Sequence, residues 1–329
     1  MRKLFFGFCV ICISLALTTC LSPWDGDSGN LTIYWGNAKG GRAWTVTDNL
    51  NDDWKSFTYT VTLKGPGTTV EETFANGVPG ATFKLPVGTW GVTIKGSKGT
   101  FGIPEFFIMG IEQIEVKAGK KTAAQVTMCN AYEVTDWNEL SNSAAWNVMS
   151  SDRPMMILIA NDLEAISPII FSSTASGALS KREWFIVAEK DVVIDKAAGN
   201  GNMFFEMGPY ADYTLHLGKP GMSGTITFDN KGISNFASLI QINSPSTLEM
   251  NDGVTIKGGN FSTSVGAAVN LNNASAGASY FIMNGGIISD NHVNYLSPKG
   301  GGVVVGSYGN FIQNGGIFKN NTQDNVYYQ

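Results

Sequence analysis

The stretch FIMNGGIISDN (residues 281–291) returns thirty residues later as FIQNGGIFKNN (residues 311–321). Earlier, LEMNDGVTIKGGN (residues 248–260) follows the same plan: an apolar pair, Asn, a Gly-containing turn, a second alternating segment, then Asn. Asn251, Asn284 and Asn314 stand 33 and 30 residues apart, a period that marks stacked supersecondary units rather than one globule. In such a stack the inward side chains lie on their counterparts one rung away, at the roughly 4.8 Å spacing of paired strands. Gly and Asn supply the positive-φ conformations that tight corners demand. Asn251, Asn284 and Asn314 therefore read as a structural ladder whose amides hydrogen-bond along the axis.

The pattern extends backwards through short apolar segments with Gly or Asn at their ends, among them PMMILIAN, WFIVAEKDVVID, YTLHLG, GTITFDN and SLIQIN. About six or seven rungs fit between residues 155 and 329, each a strand set with tight corners. Before them lies EVTDWNELSNSAAWNVMSSDRP. Asp136 with Glu139 three residues on has capping-box spacing, and Trp137, Leu140, Ala144 and Val148 recur at helical intervals until Pro154. A solenoid rung left open exposes unpaired backbone groups. The segment 136–149 therefore reads as a capping α-helix whose Trp137 and Leu140 plug the start of the stack.

Upstream, LTIYW, FTYTVTL, TFKLPVGTWGVTIKG, FIMGIEQIEVKAGKK and AAQVTM alternate apolar and polar residues between Gly and Pro breaks. Such alternation predicts half-buried antiparallel strands in a small sandwich over residues 30–130. The fold class that follows is all-β: an N-terminal antiparallel β-sandwich, then over residues 131–329 a right-handed parallel β-helix with an N-terminal capping α-helix.

The first residues carry an address. MRK is a short basic region, LFFGFCVICISLAL is apolar over the length of a signal peptide rather than a membrane span, and LTTC ends at Cys20. Leu17, Thr18, Thr19 and Cys20 resemble the lipobox of bacterial lipoproteins, with Thr19 where Gly, Ala or Ser is more usual. The resemblance implies a signal peptide at 1–19, diacylglycerol on the Cys20 thiol, an acylated N-terminus, and a linker at 20–29. The alternative is an ordinary secretory signal cleaved nearby, or an uncleaved anchor. More than one acyl chain gives stable anchoring, since a single chain holds only marginally. The expected partner is thus a membrane, reached through N-terminal acyl chains, and the expected location is the bacterial cell envelope, periplasmic or surface-exposed.

Two further resemblances concern the body of the chain. ATFKLPVGTWGVTIKG and IEVKAGKKTAAQVTM resemble the prealbumin-like or carboxypeptidase-regulatory-like sandwich modules of bacterial surface proteins, which implies a spacer or a carbohydrate-facing platform. TLHLG, GTITFDN and the NGGI repeats resemble the right-handed β-helix of pectate-lyase-like proteins, and within that group the polymorphic outer-membrane-protein and adhesin-like repeats. These motifs specify architecture, not activity.

Composition narrows the function classes. Charged residues make up 15 % of the chain and the formal charge is −5, below the usual charged share of about a quarter. No basic footprint for nucleic acid exists. The two histidines, His216 and His292, lie outside any Cys/His cluster of ligand spacing, so no metal or cofactor is called for. Cys129, the sole cysteine left after a lipoprotein leader and Cys20, reads as a small buried hydrophobe. Asp229, Asp252 and Asp290 could form a file of carboxylates, but each neighbours an Asn in a corner, where Asp ordinarily makes an Asx turn. Trp35, Trp44, Trp54 and Trp90 could line a glycan-stacking face, although alternate aromatics more often pack in a core. The leading expectation is a non-enzymatic, lipid-anchored surface protein whose sandwich presents the β-helix to a glycan or protein ligand. The alternative is a polysaccharide-binding or polysaccharide-degrading, lyase-like lipoprotein.

Overall fold

A computed structural model describes residues 27–35, 57–97, 107–146, 154–171, 182–198, 203–208, 213–243, 245–263, 266–271, 277–294, 300–322 and 324–329. The expected signal peptide, Cys20 and residues 21–26 of the expected linker, together with Trp44 and Trp54, fall outside these residues, while Ser28 and Gly29, expected in the linker, already belong to the first strand.

The N-terminal part contributes β1 (Ser28–Tyr34), β2 (Thr58–Gly65), β3 (Thr68–Phe74) and β4 (Gly80–Pro86). It continues with β5 (Gly88–Ser97), β6 (Phe107–Val116), β7 (Lys121–Gln125) and β8 (Cys129–Val134). One sheet runs in the order β4-β1-β7, with β1 antiparallel to β4 and parallel to β7. The other runs β3-β2-β5-β6-β8, antiparallel throughout. Between them lies a core rich in aromatic rings, with Trp35 5.7 Å from Tyr59 and 5.2 Å from Phe74, and Trp90 fully buried beside them. The turns at Pro86-Val87-Gly88 and Ala118-Gly119 carry the chain from one sheet to the other, β4 to β5 and β6 to β7. Strand β3 was not apparent from sequence. It forms an edge whose Thr and Glu side chains are exposed; Val70 and Phe74 turn towards the core, but Glu72 between them breaks the apolar alternation.

Helix α1 (Trp137–Trp146) follows. Asp136 Oδ1 accepts the Glu139 N–H at 2.8 Å, while the Glu139 carboxylate reaches back to the N–H and hydroxyl of Thr135. This is a capping box displaced by one residue. Trp137 stacks on Phe205 at 6.2 Å and donates its indole N–H to Ser167 O, and Leu140 is fully buried in the same cluster. The helix seals the first rung.

Beyond α1 the chain is a right-handed parallel solenoid. Its first face holds β9 (Met155–Ile159), β12 (Arg182–Ala188), β15 (Tyr213–Leu217), β19 (Ser246–Met250), β23 (Ser279–Met283) and β27 (Gly309–Gln313). The second holds β10 (Leu163–Ala165), β13 (Val192–Lys196), β16 (Ile226–Asp229), β20 (Val254–Lys257), β24 (Ile287–Ser289) and β28 (Ile317–Lys319). The third holds β11 (Ile169–Phe171), β14 (Phe205–Met207), β18 (Ile240–Ile242), β22 (Val269–Leu271), β26 (Val303–Val305) and β29 (Val326–Tyr328). A short fourth ladder, β17 (Ser234–Asn235), β21 (Asn260–Phe261) and β25 (His292–Val293), widens the later rungs.

Register places like on like. One inward file reads Met155, Trp184, Leu215, Leu248, Phe281, Phe311. Another, on the second face, reads Leu163, Ile194, Phe228, Ile256, Ile288, Phe318. Each fully buried member contributes about 1.5–3 kcal/mol of apolar burial. The last member of each file, Phe311 and Phe318, is only half-buried.

The two regions share a sheet. Strand β8 pairs antiparallel with β6 on one side and parallel with β9 on the other. The larger sandwich sheet and the first solenoid face thus form a single eleven-stranded sheet ending in β3 and β27. The boundary expected at Asn130 and Ala131 lies inside β8. Ile108, Asn130 and Met155 are cross-strand neighbours, so the sandwich core and the solenoid core occupy the same side of the sheet.

Candidate functional site

The opposite side of this sheet holds a third apolar cluster where the regions meet: Met109, Ile111, Cys129, Ala131, Met156, Leu158 and Val187. The loop from Gly218 to Gly224, between β15 and β16, folds back over it. Gly221 (φ +90°) approaches β6 so closely that a Cβ there would lie 2.2 Å from Glu112 O, and a Cβ on Gly91 would lie 2.6 Å from Gly221 O. Only glycine permits this contact at both positions. Lys219 Nζ donates to Ile111 O at 2.6 Å and approaches Glu112 Oε1 at 3.2 Å. Lys64 Nζ donates to Ser223 O at 2.6 Å, Ser223 Oγ to Glu189 O at 2.9 Å, and Lys95 pairs with Glu189. Charges from the sandwich thus grip backbone and side chains of the solenoid. Beside the loop opens a cleft of about 390 Å³ whose walls include Lys64, Gln113, Lys219, Thr225, Asp252 and Asn284.

Next to this loop, on the outer face of β12, β15 and β19, His216 is 8 % exposed. Its ring stacks on Phe185 at 4.2 Å, nearly parallel. Nε2 meets Glu183 Oε1 at 2.8 Å and Nδ1 meets Glu249 Oε2 at 3.1 Å. Burial pulls the imidazole towards its neutral form, but the hydrogen bonds to the two carboxylates outweigh it and hold the histidine above its ordinary range. The same contact to His216 draws Glu249 below the usual carboxylate range, against the opposing effect of burial. Both ring nitrogens are engaged by carboxylates from the neighbouring rungs, and the trio forms an electrostatic clasp between them. Burial pushes the Cys129 thiol up to about 11, with Lys219 opposing it, which leaves a thiol rather than a thiolate at neutral pH.

The corner asparagines lie in axial sequence. Asn251 Nδ2 donates to Gly218 O at 3.1 Å, Asn284 Nδ2 to Asn251 Oδ1 at 3.4 Å, and Asn314 Nδ2 to Asn284 Oδ1 at 2.9 Å. A second ladder, missed in the sequence, occupies the next corner. Asn291 Nδ2 donates to Asn321 Oδ1 at 3.0 Å, and Asn320 Nδ2 to Asp290 Oδ1 at 3.1 Å, with Asp290 and Asn320 both left-handed at φ +55° and +53°. Its signal was the SDN and KNN triplets, in register at 289–291 and 319–321. Of the three aspartates considered above, Asp229 makes an Asx turn to Lys231 N at 2.8 Å and an ion pair with Lys257, while Asp252 sits at the other corner and accepts from Gly286 N. They do not form one file.

Trp35 and Trp90 are fully buried in the sandwich core, so neither presents a ring to a sugar. The alternation that placed them on strands also placed them inside. Exposed apolar side chains lie instead along the solenoid, from Ile166 and Ile170 on its first rung through Phe236 to a group on the last rungs. Ile287 and Ile317 stack in register on the second face at 38 % and 60 % exposure, and Ile312, at 43 %, flanks them across the Asn314 corner. Tyr280 and Tyr308 stand nearby on the same coils.

Among the described residues no group of three or more His, Cys, Asp or Glu is placed to hold a metal ion, and no helix is long and apolar enough to cross a membrane. Comparison of the chain with protein-family models, with curated proteins and with solved structures finds no match.

Proposed function

We propose that this chain is a non-enzymatic surface protein of a bacterial cell envelope, anchored through lipid at Cys20, in which the sandwich carries the β-helix as an adhesive blade. The observation that carries this reading is the ridge of Ile287, Ile312 and Ile317 on the rungs at the far end of the shared sheet from β3. Large apolar side chains left exposed on neighbouring rungs of a rigid scaffold, as Ile287 and Ile317 are, mark an interaction surface. The sheet continuity supports the presenting role, since a spacer that shares strands with its blade transmits no hinge. The anchor rests on the resemblance of Leu17 to Cys20 to a lipobox; metabolic labelling with a radioactive fatty acid should mark the wild type and leave Cys20→Ser unlabelled.

The cleft beside Lys219 favours a second reading, a polysaccharide-binding or polysaccharide-degrading lipoprotein, because amides and hydroxyls such as Gln113, Thr225 and Asn284 match the hydroxyls of a sugar. One screen separates the two. The mature protein is tested on immobilised glycans and host matrix proteins, with depolymerisation assayed in parallel. Binding without turnover that disappears in Ile312→Asp/Ile317→Asp supports the adhesive reading; cleavage with turnover overturns it.

A further inference from the structure

Three Asn-Gly steps lie among the described residues: Asn76–Gly77, Asn284–Gly285 and Asn314–Gly315. Asn-Gly is the dipeptide most prone to spontaneous succinimide formation, because glycine offers no side chain to hinder attack by its backbone nitrogen. The three steps here have different surroundings. In the solenoid, Gly285 N donates to Met250 O at 3.2 Å and Gly315 N to Met283 O at 3.1 Å. The amide groups that would be attacked are also held, Asn284 Nδ2 on Asn251 and Asn314 Nδ2 on Asn284. Attack at either step requires the rung corner to open first.

Asn76 and Gly77 are different. They form the exposed turn between β3 and β4, with Gly77 at φ +81° and the turn closed by Val78 N on Ala75 O at 3.4 Å. Among the described residues the Gly77 N–H makes no backbone hydrogen bond. A second contact acts on the electrophile: Thr58 Oγ1, from the start of β2, donates to Asn76 Oδ1 at 2.9 Å. A donor on that oxygen withdraws electron density from Cγ and stabilises the negative charge that gathers there in the tetrahedral intermediate.

We infer that Asn76 is a site of spontaneous deamidation, assisted by the Thr58 hydroxyl, while the axial ladder guards Asn284 and Asn314 against the same reaction. Gly77 N, losing its proton to solvent, attacks Asn76 Cγ. The new N–Cγ bond closes a five-membered imide as the Cγ–Nδ2 bond breaks and ammonia departs with the proton. Water then opens either imide carbonyl, which leaves aspartate or an isoaspartyl linkage at position 76. No redox partner is involved. The product carries a new negative charge on the turn after β3 and, in the isoaspartyl form, one extra backbone carbon ahead of β4.

Peptide mapping by mass spectrometry, on purified mature protein held at mildly alkaline pH, tests this. The Asn76 peptide should convert about tenfold or more faster than the Asn284 and Asn314 peptides in folded protein, and the three rates should converge in urea. Thr58→Val, with its fold checked by circular dichroism, should slow conversion at Asn76 by about two- to tenfold, the range expected for one hydrogen bond. The guarding of the ladder is overturned if Asn284 or Asn314 converts as fast as Asn76 in the folded protein. The assisting role of Thr58 is overturned if the rate in Thr58→Val is unchanged. If Asn76 converts more slowly in the folded protein than in urea, the turn protects rather than exposes it, and the site itself is overturned.

Discussion

The sandwich and the solenoid bury apolar surface by opposite strategies. In the sandwich, unlike residues from distant strands interlock once: Trp35 against Tyr59 and Phe74, Trp90 against Gly65 with its indole N–H on Pro86 O. In the solenoid, like stacks on like, and each rung repeats the contact of the one before it. A single substitution in the sandwich therefore disturbs a cooperative core, whereas one in the solenoid is felt mainly by the neighbouring rungs. The shared sheet joins these two modes, and the Gly218–Gly224 loop clamps the joint.

The sharpest way to separate the modes is Trp90→Ala. It should lower stability by about 3–5 kcal/mol, read by urea denaturation, and the loss should reach β2, β5 and β6 together. A similar loss confined to the residues adjoining position 90 would show that the sandwich is not one cooperative unit.

Lys196 offers the reverse effect inside the solenoid. It is 2 % exposed, donates to Met203 O at 2.6 Å and lies 4.5 Å from the centre of the Phe204 ring. Burial lowers its ammonium to about 8 from the ordinary 10.5. Between these values the unfolded chain binds more protons than the folded one, so stability should rise as pH climbs through that window. Lys196→Met should stabilise the protein by roughly 1–3 kcal/mol at neutral pH and abolish the rise; a destabilised variant would mean that the contacts to Met203 and Phe204 outweigh the burial cost.

The ladder should respond in graded fashion. Asn251 is buried and bonded on both sides, so Asn251→Ala should cost about 1–2 kcal/mol, and Asn314→Ala, on the last rung, less than about 1 kcal/mol. Equal losses at both positions, measured by thermal unfolding, would argue against summation along the stack. In the same spirit, removal of residues 310–329 should cost little beyond the terminal rung.

The smallest expected effect belongs to the seam. His216 is held above 6.5 in the folded state, so its contribution is complete below that pH and fades as pH rises through the higher folded value. Glu249 is held below 4.5, so its share is present above 4.5 and is lost only as pH falls through the lower folded value. The clasp is therefore strongest in mildly acidic solution. Glu183 is 41 % exposed, and solvent screening limits the change to about 1 kcal/mol or less. His216→Gln should flatten the decline above 6.5; an unchanged pH profile would remove His216 as its source.

How far these features were legible depended on whether they were local. The NGG period, the Asp136–Glu139 capping pair and the alternating strands are short-range patterns, and the solenoid, the lid and most of the sandwich strands follow from them. The second ladder was also periodic, but its SDN and KNN triplets differ in every residue except the final Asn. Strand β3 hid because an exposed edge needs no apolar alternation. The continuity of β8 with β9, the glycine contact of Gly221 with β6 and the Glu183–His216–Glu249 clasp join residues far apart in sequence, and no single segment signals them. Trp35 and Trp90 show the limit of composition: aromatic content points to stacking, but only packing decides which side of the strand is wet.

Sandwich and β-helix are one body built on one sheet. Native-state hydrogen exchange read by mass spectrometry tests it most directly. Amides of β6, β8, β9 and β12 should exchange together and slowest, with protection falling rung by rung towards β27, β28 and β29. Early exchange at β8 and β9, with the two flanking regions each retaining protection of their own, would contradict it.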